Sequence, residues 1–228
     1  MKGTILQPTF MPWLGYFEMI DTTDVFVIFD HVQFAKKSWQ HRNRIKTANG
    51  ENLLSIPTFK ASRETAIKEI KIFQSNNSPL ADNWKTICHN YQKAPYFSMY
   101  NEELERIYLG RYEFLIEFTV SLIRKLCNLI GIQTEFIYSS SLILNEEDLG
   151  KTQKVINLCQ KAGLTYLYDA KGAKEILDSA MFAENNITIE FQNYEHPVYN
   201  QLFGEFIPYM SVIDLIFNEG PNSIKIIR

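Results

Sequence analysis

A chain of 228 residues, 46% hydrophobic and 21% charged, can bury a sizeable core and has the composition of a globular protein, which excludes a disordered or low-complexity class. The net charge of −3 gives no general attraction for nucleic acid or for an anionic membrane surface. Three widely spaced cysteines, Cys88, Cys127 and Cys159, offer neither metal-ligand spacing nor an even set for disulfides, so a reducing, cytoplasmic compartment is expected.

Gln7, Pro8 and Pro12 interrupt the first apolar run, so no signal peptide is expected, and no apolar stretch nears the ~20 residues of a membrane-spanning helix. Residues 3–7 read as a short buried strand. Residues 14–21 read as a helix with Leu14, Phe17 and Ile20 on one face. "DVFVIFD" (24–30) is a near-continuous β-branched and aromatic run, as in a strand covered on both faces. Strand, turn, helix, strand predicts a βαβ unit and a parallel sheet. Further strands are expected at 52–59 and 67–73, and helices at 79–91 and 112–131, the second stopped by Gly131. A strand at 134–142, a helix at 149–162, a strand at 165–170, a short helix at 173–179 and a strand at 187–194 follow. "MSVIDLIFNEG" closes the series as a helix with Ser211 as N-cap. With no internal repeat, the expectation is one α/β domain over 1–228, a parallel-sheet Rossmann-like (nucleotidylyltransferase-like) core with helical insertions.

Three stretches carry the chemistry. "QPTFMPWLGYF" (7–17) occupies the loop between the first strand and the first helix, where open α/β sheets place ligands. Its prolines would hold it rigid, Gly15 would permit a close approach, and Gln7, Pro8, Trp13 and Tyr16 are candidate ligand contacts; the alternative is an aromatic plug. Cytidylyltransferase-like folds carry His-x-Gly-His at this position. Here Trp13-Leu14-Gly15-Tyr16 replaces both histidines, which argues against nucleotidyl transfer by that route.

Between Val32 and Gly50 lie five basic residues, Lys36, Lys37, Arg42, Arg44 and Lys46, and no acid. Gln33, Trp39, His41 and Asn43 are interleaved among them. Guanidinium forks suit phosphate or carboxylate and the indole suits a base or sugar ring, so this is either an anion- and ring-binding segment or a solvated basic hairpin. The third stretch, 193–220, contains His196, Tyr199 and Gln201 in an extended segment, and Asp214 inside an apolar helix. His196 titrates near neutrality and suits acid–base work, or it simply bonds the backbone. Asp214 needs a cap or a cation, and the basic 36–46 segment is one source.

Together "QPTFMPWLGYF", "DVFVIFDHVQFAKKSWQHRNRIKT", "YQKAPYF" (91–97) and "SVIDLIFNEG" (211–220) resemble the WbqC-like protein family, in order and spacing, almost from end to end. His41 stands where a smaller polar residue, often Asn, is usual, and Phe34 where Tyr is frequent. The resemblance implies a role in bacterial surface-polysaccharide (O-antigen) synthesis, as a glycine or aminoacyl transferase acting on a nucleotide-linked amino sugar. It implies an activated acyl donor or nucleotide as co-reactant. From the residues themselves, no histidine has a metal-ligand spacing and no second basic patch extends a nucleic-acid footprint, so neither partner is expected, and a homo-oligomer is left open. The candidate catalytic residues are His196, Asp30 and His41. Arg42, Asn43 and Lys46 are candidate anion or oxyanion partners, and Gln33, Lys36, Trp39, Tyr199, Gln201 and Asp214 complete the expected ligand set. An ATP-using nucleotidyltransferase or adenylate-forming ligase, or a non-catalytic sugar-binding protein of the same pathway, are the alternatives.

Overall fold

The computed structural model describes residues 1–73, 78–142 and 149–228. In chain order its elements begin with β1 (Lys2–Leu6), α1 (Leu14–Asp21), β2 (Val25–Ile28), β3 (Arg42–Thr47) and β4 (Gly50–Ser55). Three helices follow, α2 (Pro79–Tyr91), α3 (Phe97–Tyr108) and α4 (Leu115–Ile130). The remainder comprises β5 (Glu135–Tyr138), α5 (Lys151–Lys161), β6 (Tyr166–Asp169), α6 (Ser179–Glu184), β7 (Thr188–Phe191), α7 (Val212–Glu219) and α8 (Ser223–Ile227). These elements fall into two compact units. Unit 1 holds residues 1–7, 18–31 and 133–195; unit 2 holds 8–17, 32–132 and 196–228.

Unit 1 is a five-stranded, wholly parallel sheet in the order β5-β2-β1-β6-β7. The chain runs outward from β1 in one direction and then returns to build on its other side, which is the strand order of a Rossmann-like α/β core. The first βαβ unit forms as its pattern predicts, with Ile5 opposite Val27 and Leu6 opposite Ile28. One face, with Ile5, Val25, Val27 and Leu167, packs on Val155, Ile156, Leu158 and Cys159 of α5 and Phe182 of α6. Each such aliphatic side chain, once buried, contributes roughly 1.5–3 kcal/mol.

Unit 2 is built from the β3–β4 antiparallel hairpin and helices α2, α3, α4, α7 and α8. Its core is aromatic: Tyr108 stacks on Trp84 at 5.3 Å and meets Phe118 edge-on at 5.3 Å, and Phe10 lies 6.0 Å from Phe118. Gly131 (φ 86°) ends α4 in the left-handed conformation, which only glycine adopts without strain.

Several expectations are corrected. Residues 67–73 form no strand; Ile67–Glu69 is a 3-10 turn, after which only isolated bridges, Thr58 with Ile72 and Lys71 with Phe114, continue the pairing. β4 stops at Ser55, ahead of Pro57, which has no N–H to offer a ladder. The helix expected at 173–179 is a 3-10 segment, Lys171–Glu175, followed by α6, which starts after the Asp178 cap. α3, α8 and the strand character of 42–47 are additional elements.

Candidate functional site

In unit 2 the 8–13 loop is fastened from two directions. Asn43 Nδ2 donates to the carbonyls of Phe10 (3.0 Å) and Met11 (2.7 Å), and the Phe10 N–H donates to the Trp39 carbonyl (2.9 Å). The Val212 N–H at the start of α7 donates to the Pro12 carbonyl (2.9 Å). Phe10 and Met11 of the loop, and Leu14 and Phe17 of α1, are fully buried. Trp13 is the exception. Its indole lies over Gly15, where a Cβ would come within 2.2 Å of the ring. The glycine predicted to admit a ligand or backbone thus makes room for the Trp13 side chain.

The indole forms one wall of a cavity of ≈ 260 Å³ lined by Thr9, Pro12, Trp13, Tyr16, Trp39, Asn43, Arg44 and Tyr209. Four aromatic rings and one guanidinium dominate it. Arg44 lies over the Trp39 ring (5.4 Å) and pairs with Glu51 at 2.8 Å. Its Nε is buried and has no hydrogen-bond partner among the described residues. A buried N–H without an acceptor costs on the order of 1–3 kcal/mol.

Of the predicted contacts, Trp13, Tyr16, Trp39 and Asn43 meet in this cavity. Asn43 builds it rather than addressing a ligand, because its amide hydrogens are spent on the loop and its Oδ1 accepts from the Arg44 N–H at 2.8 Å. Gln7 (in unit 1), Pro8, Gln33, Lys36 and Arg42 are outside the lining. Arg42 instead donates to the Lys37 carbonyl. Thr9, Pro12, Arg44 and Tyr209 are the members absent from the set expected from sequence. The alternation of Arg42, Arg44 and Lys46 along one strand was the available signal for Arg44.

His196 stacks on Trp13 (6.1 Å between centroids, 14° between planes) and meets Tyr209 edge-on at 4.9 Å. The Pro197 carbonyl can only accept, so Nδ1–H donates to it (2.8 Å), while Nε2 accepts from the Tyr209 N–H (3.1 Å). Burial lowers its pKa, partly offset by the Pro197 carbonyl. Both nitrogens are held by backbone, which makes the ring a neutral wedge rather than a base facing a ligand. His41 packs against Phe34 (5.4 Å), and burial, then the Arg42 charge, lower its pKa.

A second predicted group gathers elsewhere in unit 2. Asp214 is fully buried and accepts from Tyr91 Oη (2.8 Å), Tyr199 Oη (2.9 Å) and Gln201 Nε2 (2.8 Å). Burial raises its pKa, and those three bonds together with the Lys46 charge oppose the rise. Lys46 is 1% exposed and donates through Nζ to the Glu205 carbonyl (2.5 Å). The hairpin is therefore present, but its inner cation is buried rather than solvated. Asp30 belongs to unit 1, where Ser139 and Ser140 occupy its carboxylate.

A Rossmann-like parallel sheet in unit 1, together with a unit 2 that carries an aromatic-lined cavity, defines an α/β protein. The chain belongs to the WbqC-like protein family, whose profile matches residues 7–226. It is also similar to the uncharacterized protein Rv1507c of Mycobacterium tuberculosis (strain ATCC 25618 / H37Rv), with 32% identity over 230 residues, covering 100% of this chain and 97% of that protein. No solved structure matches it. Among the described residues, no helix is long and apolar enough to cross a membrane.

Proposed function

We propose that the unit 2 cavity binds the ring of an anionic sugar ligand, and that the protein transfers an acyl or aminoacyl group to a nucleotide-linked amino sugar in bacterial surface-polysaccharide (O-antigen) synthesis. The observation that carries the reading is the cavity lining, in which the Arg44 guanidinium stands with the rings of Trp13, Tyr16, Trp39 and Tyr209. Aromatic walls stack on sugar or base rings, and the guanidinium takes phosphate or carboxylate. The cavity, at ≈ 260 Å³, lies just below the roughly 300–1,000 Å³ of sites that enclose a drug-sized ligand, so it holds one ring and leaves the rest of a nucleotide-sugar outside. In the reaction, the amine of the sugar attacks the acyl carbon of an activated donor, an amide bond forms, the donor's leaving group departs, and the amine proton passes to a base.

Mass spectrometry of surface polysaccharide from cells with and without the gene tests the reading. A mass increment missing from the deletion strain names the transferred group; identical masses refute it. A non-catalytic sugar-binding role is the second reading, favoured by one observation: the histidine beside the cavity, His196, has both nitrogens engaged by backbone groups. That reading gains if cavity substitutions abolish sugar binding yet leave the increment in place.

A further inference from the structure

Tyr209, which lines the unit 2 cavity, has a backbone that a tyrosine rarely adopts: its φ is 61°, in the left-handed region. Its ring stands 5.5 Å from the Trp13 indole, and the residue is half-exposed. A non-glycine residue keeps such a conformation only where its surroundings impose it. Downstream the chain is anchored without it. Met210 is fully buried, the Ser211 N–H donates to the Arg44 carbonyl (3.0 Å), and the Val212 N–H donates to that of Pro12 (2.9 Å). The Tyr209 N–H itself is held by His196 Nε2 at 3.1 Å.

That bond exists in one protonation state. A backbone N–H only donates and a carbonyl only accepts. With the Pro197 carbonyl on Nδ1 (2.8 Å) and the Tyr209 N–H on Nε2, the imidazole therefore carries a single hydrogen, on Nδ1. A second proton would sit on Nε2 and point at the Tyr209 N–H, setting two donors against each other. Burial lowers the His196 pKa, the direction expected of a ring kept neutral. The rings packed on it are Trp13, Tyr199, Phe206 and Tyr209. The titratable groups among them are two phenols, a class that titrates at about pH 10. Behind Tyr199 stands Asp214 of α7, which accepts from its hydroxyl (2.9 Å) and whose pKa burial raises. Glu195, the preceding residue, is exposed.

We propose that His196 is a positioning residue that regulates the cavity: while neutral it holds Tyr209 in the left-handed conformation beside Trp13, and on gaining a proton it releases that wall. The inference rests on the reading that the cavity binds the ring of an anionic sugar, and adds that this binding is coupled to a proton. A ligand that needs the neutral imidazole binds more weakly as pH falls below the imidazole's pKa, by about tenfold per pH unit once most of the rings are protonated. Bound ligand in return lowers that pKa further.

Two measurements on the full chain test this. In 1H–15N spectra of protein labelled at tyrosine, the Tyr209 amide is the resonance lost in Tyr209→Phe. It should move in an acidic titration that is absent in His196→Gln, and the wild-type ring should carry hydrogen on Nδ1 and none on Nε2 near neutral pH. A Tyr209 amide that does not titrate, or hydrogen on Nε2, overturns the proposal. The second measurement is calorimetry with uridine diphosphate N-acetylglucosamine, whose diphosphate does not titrate between pH 5 and 7.5. Glutamine places an acceptor oxygen where Nε2 stands and has no proton to gain. His196→Gln should thus bind within about threefold of wild type at pH 7.5 and keep that affinity at pH 5, where wild type weakens. His196→Ala should bind roughly tenfold more weakly at both. Wild-type affinity that is equal at the two pH values, or a loss at pH 5 that persists in His196→Gln and so belongs to Asp214 or another group, overturns the role of His196. No heat with wild type at pH 7.5 counts against the sugar reading of the cavity, and the amide titration then decides the role of His196 by itself.

Discussion

The Trp13 indole and the His196 imidazole lie nearly parallel, 14° apart in plane and 6.1 Å between centroids, and this pair joins the 8–13 loop to the segment ahead of α7. The imidazole cannot turn away, because Pro197 and Tyr209 hold its two nitrogens. Trp13 is in turn seated on Gly15. The cavity wall is thus fixed from behind before a ligand arrives, which reduces the ordering cost of binding.

Gly15→Ala tests that seating. A methyl group here would overlap the indole, with a Cβ only 2.2 Å from the nearest ring atom. Helix propensity alone would favour alanine by about 1 kcal/mol. The expected outcome is a folded protein whose Trp13 is displaced, with ligand affinity reduced at least tenfold by calorimetry. Unchanged affinity would show that the indole position is not what shapes the site.

Arg44 and Arg42 should separate cleanly. Arg44→Ala removes the guanidinium that lines the cavity and is expected to weaken an anionic ligand by about 1.5–3 kcal/mol, the worth of a charge-assisted hydrogen bond. Arg42→Ala, outside the lining, should change affinity by less than about threefold. Titrations of the two variants decide it, and equal losses would point to the whole basic face acting together.

The Asp214 network should matter for stability. Tyr91→Phe deletes a hydroxyl that donates to Asp214 and accepts from the Lys46 N–H (3.0 Å), so a loss of roughly 1–3 kcal/mol in denaturant unfolding is expected. Asp214→Ala leaves the Tyr91 and Tyr199 hydroxyls and the Gln201 amide without their shared acceptor, so a larger loss than for Tyr91→Phe is expected.

Asp169, at the end of β6, gives a pH test. Burial is the main cause that pushes its pKa from 3.8 up to about 6, against the pull of the Ala170 N–H. Between those values the folded state holds more protons than the unfolded state, so this group's contribution to stability falls as pH rises through that window. Above pH 6 the ionised carboxylate costs at most about 3 kcal/mol. Asp169→Asn should therefore raise the melting temperature more at pH 7.5 than at pH 4; a difference independent of pH would contradict the assignment.

Elements with a strong local pattern were legible in the sequence. The βαβ start, α2 at 79–91 and the Gly131 stop follow from periodicity and one glycine. Asp214 in "SVIDLIF" was expected to need a cap or a cation, but Tyr91, Tyr199 and Gln201 hold its carboxylate, and the Lys46 charge is the smallest contribution. What stayed hidden depends on residues far apart in the chain. Nothing near His196 in sequence announces that Tyr209 seals Nε2, and nothing near Asp30 announces Ser139, 109 residues away. β3 was obscured because its inward cations look like surface residues until their partners are known.

Isothermal calorimetry with a panel of nucleotide-activated amino sugars tests the central claim most directly. The account predicts saturable heat for at least one of them with the wild-type chain, lost in Arg44→Ala and Trp13→Ala variants that keep the wild-type fold. Absence of heat across the panel, or binding that survives both substitutions, would contradict it.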